Sequence, residues 1–150
     1  MNDTSTVDLL FVEHKPQDLE LALLALREAN PASHIHIARD GAEAVEVSGV
    51  EGPHAGRRSA DMPKVILLDL KLPKIDGLDV LKRIKSDPRT KLIPIVMLTS
   101  SKEQRDVIES YQLGVNSYIV KPVNFERFTE AVRNLGIYWQ TFNQPPKVTD

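Results

Sequence analysis

Val65-Ile66-Leu67-Leu68-Asp69-Leu70-Lys71-Leu72-Pro73-Lys74-Ile75-Asp76-Gly77 decides how this chain folds. Four consecutive apolar residues end on a carboxylate, and a loop with a proline and a glycine follows. A strand apolar on both faces belongs in the middle of a parallel sheet, where helices cover both sides. Asp69 cannot remain in such a core, so it emerges at the carboxyl end of its strand. Open α/β folds bind their ligands along that edge.

The flanking sequence alternates in the same sense. Leu9-Leu10-Phe11-Val12 reads as a short buried strand, and Pro16 to Asn30 as a helix with Leu19, Ala22, Leu23 and Leu26 at helical spacing. His34 to Ala38 alternates weakly, as an edge strand does, and Asp40-Gly41 opens a short helix with Ala42 and Val45. Glu51 to Pro63 holds two glycines, two prolines and paired arginines and reads as a loop. Gly77, Val80, Leu81 and Ile84 mark the next helix, closed by Asp87-Pro88. Ile93 to Leu98 is another buried strand, and Glu103 to Tyr111 a helix with Val107, Ile108 and Tyr111 on one face. Gly114-Val115-Asn116 turns into Tyr118-Ile119-Val120, and Asn124 caps a final helix through Leu135. Strict alternation predicts an α/β fold, a doubly wound five-stranded parallel sheet with helices on both faces and right-handed crossovers.

Bulk properties narrow the function. At 150 residues, with 41% hydrophobic and 27% charged residues, the chain suits one globular domain. A net charge of -2 gives no basic field for nucleic acid and no polybasic block for anionic lipid. The absence of cysteine excludes disulfides, thiolate metal sites and a thiol nucleophile. Met1 to Val7 lacks the apolar core of an export signal, and no apolar run approaches the roughly 20 residues of a membrane span. A cytoplasmic location is expected.

The strand ends carry the chemistry. The first strand is followed by Glu13 and His14, the third by Asp69; the fourth ends in Thr99, before Ser100 and Ser101, and the fifth in Lys121, before Pro122. In a doubly wound sheet these ends share one edge, so two carboxylates, a hydroxyl and an ammonium meet in one pocket. That set suits binding or transfer of a phosphoryl group. Asp69 is the candidate nucleophile, since carboxylates form acyl phosphates. Lys121 and Thr99 would hold phosphoryl oxygens, and a divalent cation on oxygen ligands would offset the charge. Asp18 and Asp76 read as a helix-start acid and a turn residue.

Taken together, Glu13, the run ending in Asp69, Pro73 and Gly77 after it, Thr99, and Tyr118-Ile119-Val120-Lys121-Pro122 resemble a two-component response regulator receiver domain over roughly residues 7 to 135. Leu135-Gly136-Ile137-Tyr138-Trp139 and Asn143-Gln144-Pro145-Pro146 are further similar to small regulators paired with cyanobacterial phytochrome kinases. The resemblance implies a flavodoxin-like fold of strand order 2-1-3-4-5, with residues 1–6 disordered and 136–150 a C-terminal extension. It implies that a sensor histidine kinase phosphorylates Asp69, with Thr99 then moving toward the phosphate and Tyr118 inward behind it. The face of the fourth helix, fifth strand and fifth helix would change its contacts with a downstream protein. Catalysis would be limited to phosphoryl transfer to, and hydrolysis from, Asp69 itself. Mg²⁺ would sit on Glu13, Asp69 and the carbonyl of Lys71. Lys121-Pro122 would be a cis peptide.

One position departs from that pattern. Receivers usually carry two acids after the first strand, and here the second is His14. Mg²⁺ prefers oxygen ligands and a neutral imidazole replaces a carboxylate poorly, so weakened Mg²⁺ binding is expected. The ammonium of Lys71 would partly substitute for the cation. A pseudo-receiver that keeps the fold without using phosphate is the competing reading. A flavodoxin-like ligand binder is a third, but Glu13-His14-Lys15-Pro16 has no glycine to cradle a phosphate. At the other end, Phe125, Phe128, Val132, Leu135, Trp139 and Phe142 recur as a heptad seam, interrupted by a potential helix breaker at Gly136. A homodimer through the last helix and tail is expected.

Overall fold

The computed structural model describes residues 7–48 and 62–146. The disorder expected over residues 1–6, and all but the end of the loop expected over Glu51 to Pro63, lie outside these residues. Five strands form one parallel sheet: β1 (Leu9–Val12), β2 (Ile35–Ala38), β3 (Val65–Leu68), β4 (Ile95–Thr99) and β5 (Ser117–Val120), ordered β2-β1-β3-β4-β5. They alternate with α1 (Pro16–Ala29), α2 (Gly41–Ser48), α3 (Gly77–Ser86), α4 (Gln104–Gln112) and α5 (Phe125–Ile137). This is the flavodoxin-like order expected. None of the described helices is long and apolar enough to cross a membrane.

The unbroken apolar strands are buried on both faces, as parallel strands must be. Leu10, Val12, Ile66, Leu68, Ile95 and Met97 pack on the side of α2 and α3. Leu9, Phe11, Val65, Leu67, Val96 and Leu98 face α1 and α5. Period-two alternation thus divides each strand between two cores. The register is in step: Val12 lies opposite both Ala38 and Leu68, and Thr99 opposite Val120. Glu13, Asp69 and Lys121 each follow a strand's last ladder residue, with Asp69 N–H donating to Val12 (3.1 Å) and Lys121 N–H to Thr99 (2.7 Å).

Helix starts follow from local chemistry. Asp76 accepts from the Leu78 amide at the head of α3, and Asn124 accepts from the amides of Glu126 and Arg127 at the head of α5. Helix α4 differs from the others: its only buried residue is Ser110, while Ile108 and Tyr111 are about half exposed. The apolar stripe read from the sequence therefore faces largely outward.

Two expectations about the C-terminal region are corrected. Gly136 does not end the last helix: α5 runs through it to Ile137, and a π-helical turn follows over Tyr138–Phe142. A Cβ at Gly136 would lie 3.0 Å from Leu26 Cδ2, so here glycine permits close approach to α1. Gln140 ties the turn down, donating to the Gly136 carbonyl (3.3 Å) and accepting from the Ser33 hydroxyl. The heptad seam is mainly internal. Phe128, Val132 and Leu135 are buried in the α1 side of the core and Trp139 packs against it, leaving Phe125 and Phe142 exposed. Packing against α1 claims those positions before a partner could.

Lys85 at the end of α3 ties the connections before β4 and β5 to its helix. Its Nζ donates to the carbonyls of Lys91 (3.0 Å) and Ile93 (2.7 Å) and to Asn116 Oδ1 (3.1 Å). Burial pushes its pKa down to about 8.

Two outcomes are expected. The loop after β3 returns so closely that a Cβ at Gly77 would meet the Asp69 carbonyl at 2.2 Å and the Leu70 carbonyl at 2.5 Å. Gly77→Ala will therefore displace backbone beside Asp69 and destabilise the fold by roughly 1–3 kcal/mol in urea unfolding. For Lys85, the unfolded chain binds the proton more tightly than the folded one. Its burial therefore costs stability below about pH 8, and that cost is relieved as pH rises toward 10.5. Wild type will gain stability relative to Lys85→Met between pH 7.5 and 10 in paired urea titrations.

Candidate functional site

The in-step strand ends bring together the residues that the sequence placed there. Lys121 is buried, and its Nζ donates to Glu13 Oε1 at 2.7 Å, Asp18 Oδ2 at 2.9 Å and Asp69 Oδ2 at 3.1 Å. Glu13, 1% exposed, and Asp69, 4% exposed, are deeper than their charge would allow without this partner. Glu13 Oε2 also accepts from the Lys15 amide at 3.1 Å. Oδ1 of Asp69 accepts no hydrogen bond from the described residues.

Three carboxylates around one ammonium leave the pocket negative. Burial, and then the charge of Asp69, push the Glu13 pKa up to about 7 despite the Lys121 contact. Burial also works against the Lys121 ammonium, but the Glu13 hydrogen bond and the Asp69 charge outweigh it and raise its pKa. Lys121 stays charged, and the strain of crowding falls on Glu13.

Asp18 is the residue that sequence reasoning missed. It was read as a helix-start acid and does sit in the first turn of α1, but it also reaches Lys121. The signal was available: helix N-termini line the same sheet edge as strand C-termini, and Pro16 fixes the first turn of α1 two residues before it.

The hydroxyl half of the site lies on the β4 side. Thr99 is buried, and its Oγ1 accepts a long contact of 3.4 Å from the Ser101 amide. Tyr118, partly buried, donates its hydroxyl to the Ser101 carbonyl at 3.0 Å, and the Ser101 hydroxyl donates to Asp106 in α4 at 2.5 Å. Ser101 thus links Thr99, Tyr118 and the first turn of α4, a connection that sequence spacing did not reveal. Lys71 is exposed and lines a cleft of about 490 Å³ with Asp76, Ser101, Lys102 and Arg105. The cation that meets the carboxylates is Lys121 and not Lys71. The cis Lys121-Pro122 bond is corrected: no cis peptide occurs among the described residues. Trans is the lower-energy form, and with it Lys121 keeps both its ladder bond and its carboxylate contacts.

Glu13, His14 and Asp69 each offer one ligand atom, all within 4.8 Å of one another. His14 Nδ1 is buried without a hydrogen-bond partner among the described residues. Two oxygens and an imidazole suit a divalent cation that accepts nitrogen, and depart from the all-oxygen set that Mg²⁺ prefers.

Comparison with known proteins agrees with this geometry. The response regulator receiver domain family matches residues 9–133. Probable methanogenesis regulatory protein FilR2 of Methanothrix harundinacea is 36% identical over 138 residues, 92% of this chain and 86% of its own. Response regulator Rcp1 of Synechocystis is 37% identical over 131 residues, covering 87% of each. Its Mn²⁺-bound form aligns with a TM-score of 0.80 at 34% identity, over 94% of this chain and 99% of that one. The phosphorylated cyanobacterial phytochrome response regulator RcpA aligns with a TM-score of 0.85 at 37% identity, over 95% of this chain and 99% of its own. The resemblance read from Glu13, Asp69, Thr99 and Lys121 is borne out, and this chain belongs to the response regulator receiver domain family.

Proposed function

We propose that Asp69 accepts a phosphoryl group from a sensor histidine kinase, of phytochrome type, and that the chain signals through protein contacts that depend on this phosphate. The observation carrying this reading is the Lys121 ammonium, buried between Glu13, Asp18 and Asp69. A carboxylate oxygen of Asp69 attacks phosphorus, the bond from phosphorus to the kinase imidazole breaks, and its electron pair stays on that nitrogen. Lys121 is near enough to transfer one hydrogen bond from Asp69 to a phosphoryl oxygen. The Thr99 hydroxyl serves a second oxygen, exchanging its long contact with the Ser101 amide for a charge-assisted one. Tyr118 follows through the shared Ser101 link. Glu13, His14, Asp69 and the carbonyl of Lys71 would hold a divalent cation, whose chemistry is to offset the charge of the phosphoryl oxygens.

The exposed apolar residues Ile108, Tyr111, Val120 and Phe125, on or beside α4, β5 and α5, suit the downstream contact surface. The exposed Tyr138 and Phe142 suit self-association through the tail. A second reading, a pseudo-receiver that signals without phosphate, is favoured by one observation, His14 in place of an acid.

Two experiments test these readings. Treatment with acetyl phosphate or a kinase, with and without divalent cation, is expected to add a phosphate mass increment that Asp69→Asn abolishes. No increment under any condition would favour the pseudo-receiver. Sedimentation should give a dimer at micromolar concentration that the double variant Tyr138→Ser, Phe142→Ser weakens several-fold; a wild-type monomer counts against the tail contact.

A further inference from the structure

The pocket differs from an all-oxygen cation site at one residue, and that residue carries a buried ring nitrogen without a partner among the described residues. His14 Nδ1 is shielded from solvent and bonded to none of the described residues, although polar atoms so placed nearly always have a partner. A ring nitrogen of the same residue lies within 4.8 Å of carboxylate oxygens of Glu13 and Asp69. No hydrogen bond joins these three side chains among the described residues, and a spacing under 4.8 Å is one that a shared ion can draw together. Three donors about 2.1 Å from one ion lie roughly 3.0–3.6 Å apart, so modest rotamer changes bring all three onto one centre.

The ligand chemistry then selects the ion. Mg²⁺ is hard, holds its waters and is bound through oxygen, so exchanging a carboxylate for imidazole removes both a preferred donor and a negative charge. First-row transition ions accept imidazole, with affinity rising from Mn²⁺ toward Cu²⁺. Lys121 adds a second bias. Its Nζ already occupies Glu13 Oε1 and Asp69 Oδ2, so an incoming cation competes with an ammonium for oxygen but not for nitrogen. An ion that gains most from the nitrogen therefore loses least to that competition.

We propose that His14 is a direct nitrogen ligand that converts this receiver pocket into a mixed nitrogen–oxygen site preferring a first-row transition ion over Mg²⁺. The proposal shares its location with the phosphorylation reading but stands apart in its test, which uses no phosphodonor. The full chain, freed of metal by chelator, is titrated with Mn²⁺ and followed by loss of the free-ion electron paramagnetic resonance signal, with Mg²⁺ as competitor. Mn²⁺ should bind at least about tenfold more tightly than Mg²⁺, and pulsed spectra of the bound ion should show coupling to an imidazole ¹⁴N nucleus. His14→Ala should lose that coupling and weaken Mn²⁺ about tenfold or more. His14→Asp should tighten Mg²⁺ and erase the preference, while His14→Ala keeps its unfolding midpoint. Equal affinities for the two ions, bound Mn²⁺ without ¹⁴N coupling, an unchanged His14→Ala titration, or no binding of either ion at millimolar concentration would each overturn it. Phosphate incorporation at Asp69, measured separately, stands or falls independently of these results.

Discussion

A charge-bearing lysine deep in a protein is costly unless opposite charge meets it, and the Lys121 contacts organise the working edge of this sheet around that constraint. Its three partners come from separate segments: Glu13 after β1, Asp18 in α1 and Asp69 after β3. Each carboxylate lowers the cost of burying the lysine, and the lysine lowers the cost of burying Glu13 and Asp69. The pairing is unequal, three acids to one base. The surplus negative charge suits the pocket to a cation and makes the lysine able to be shared with an incoming anion.

Much of this was legible in the chain. Runs such as Ile66-Leu67-Leu68 and Val96-Met97-Leu98 leave no polar face, and such strands have one stable place, between two layers of helices. Once they are central, Asp69, Thr99 and Lys121 must share an edge, because parallel strands end on the same side. What stayed hidden depends on contacts between segments distant in sequence. Asp18 looked like any first-turn acid until Lys121, just past β5, reached it across the sheet edge. Gly136 looked like a stop signal, but its missing side chain makes room for Leu26, and the helix continues because α1 supports it. The heptad seam was a true periodicity assigned to the wrong neighbour: Phe128, Val132 and Leu135 were reading the core of their own domain.

The two halves of the site are joined differently. The carboxylate half is held by charge, at distances between 2.7 and 3.1 Å. The hydroxyl half is held through Ser101, which touches Thr99 by its amide, Tyr118 by its carbonyl and Asp106 by its hydroxyl. The weakest of these contacts is the one to Thr99, at 3.4 Å, so Thr99 is the member most easily recruited by a new acceptor. Helix α4 buries only Ser110 and is anchored through the Ser101 contact with Asp106, so little packing opposes its displacement.

The sequence separations of the Lys121 contacts have a consequence for timing. Its partners lie 108, 103 and 52 residues back along the chain, and β5 is the last strand in sequence and an edge of the sheet. Closing loops of that length costs entropy before any contact repays it, so the charge cluster cannot form early in folding. Until β5 docks, Glu13 and Asp69 face each other without their counter-ion and favour staying open to water. The pocket is therefore completed only when β1, β3 and β5 are held in one sheet, and an intact charge cluster reports that the two ends of the chain have met.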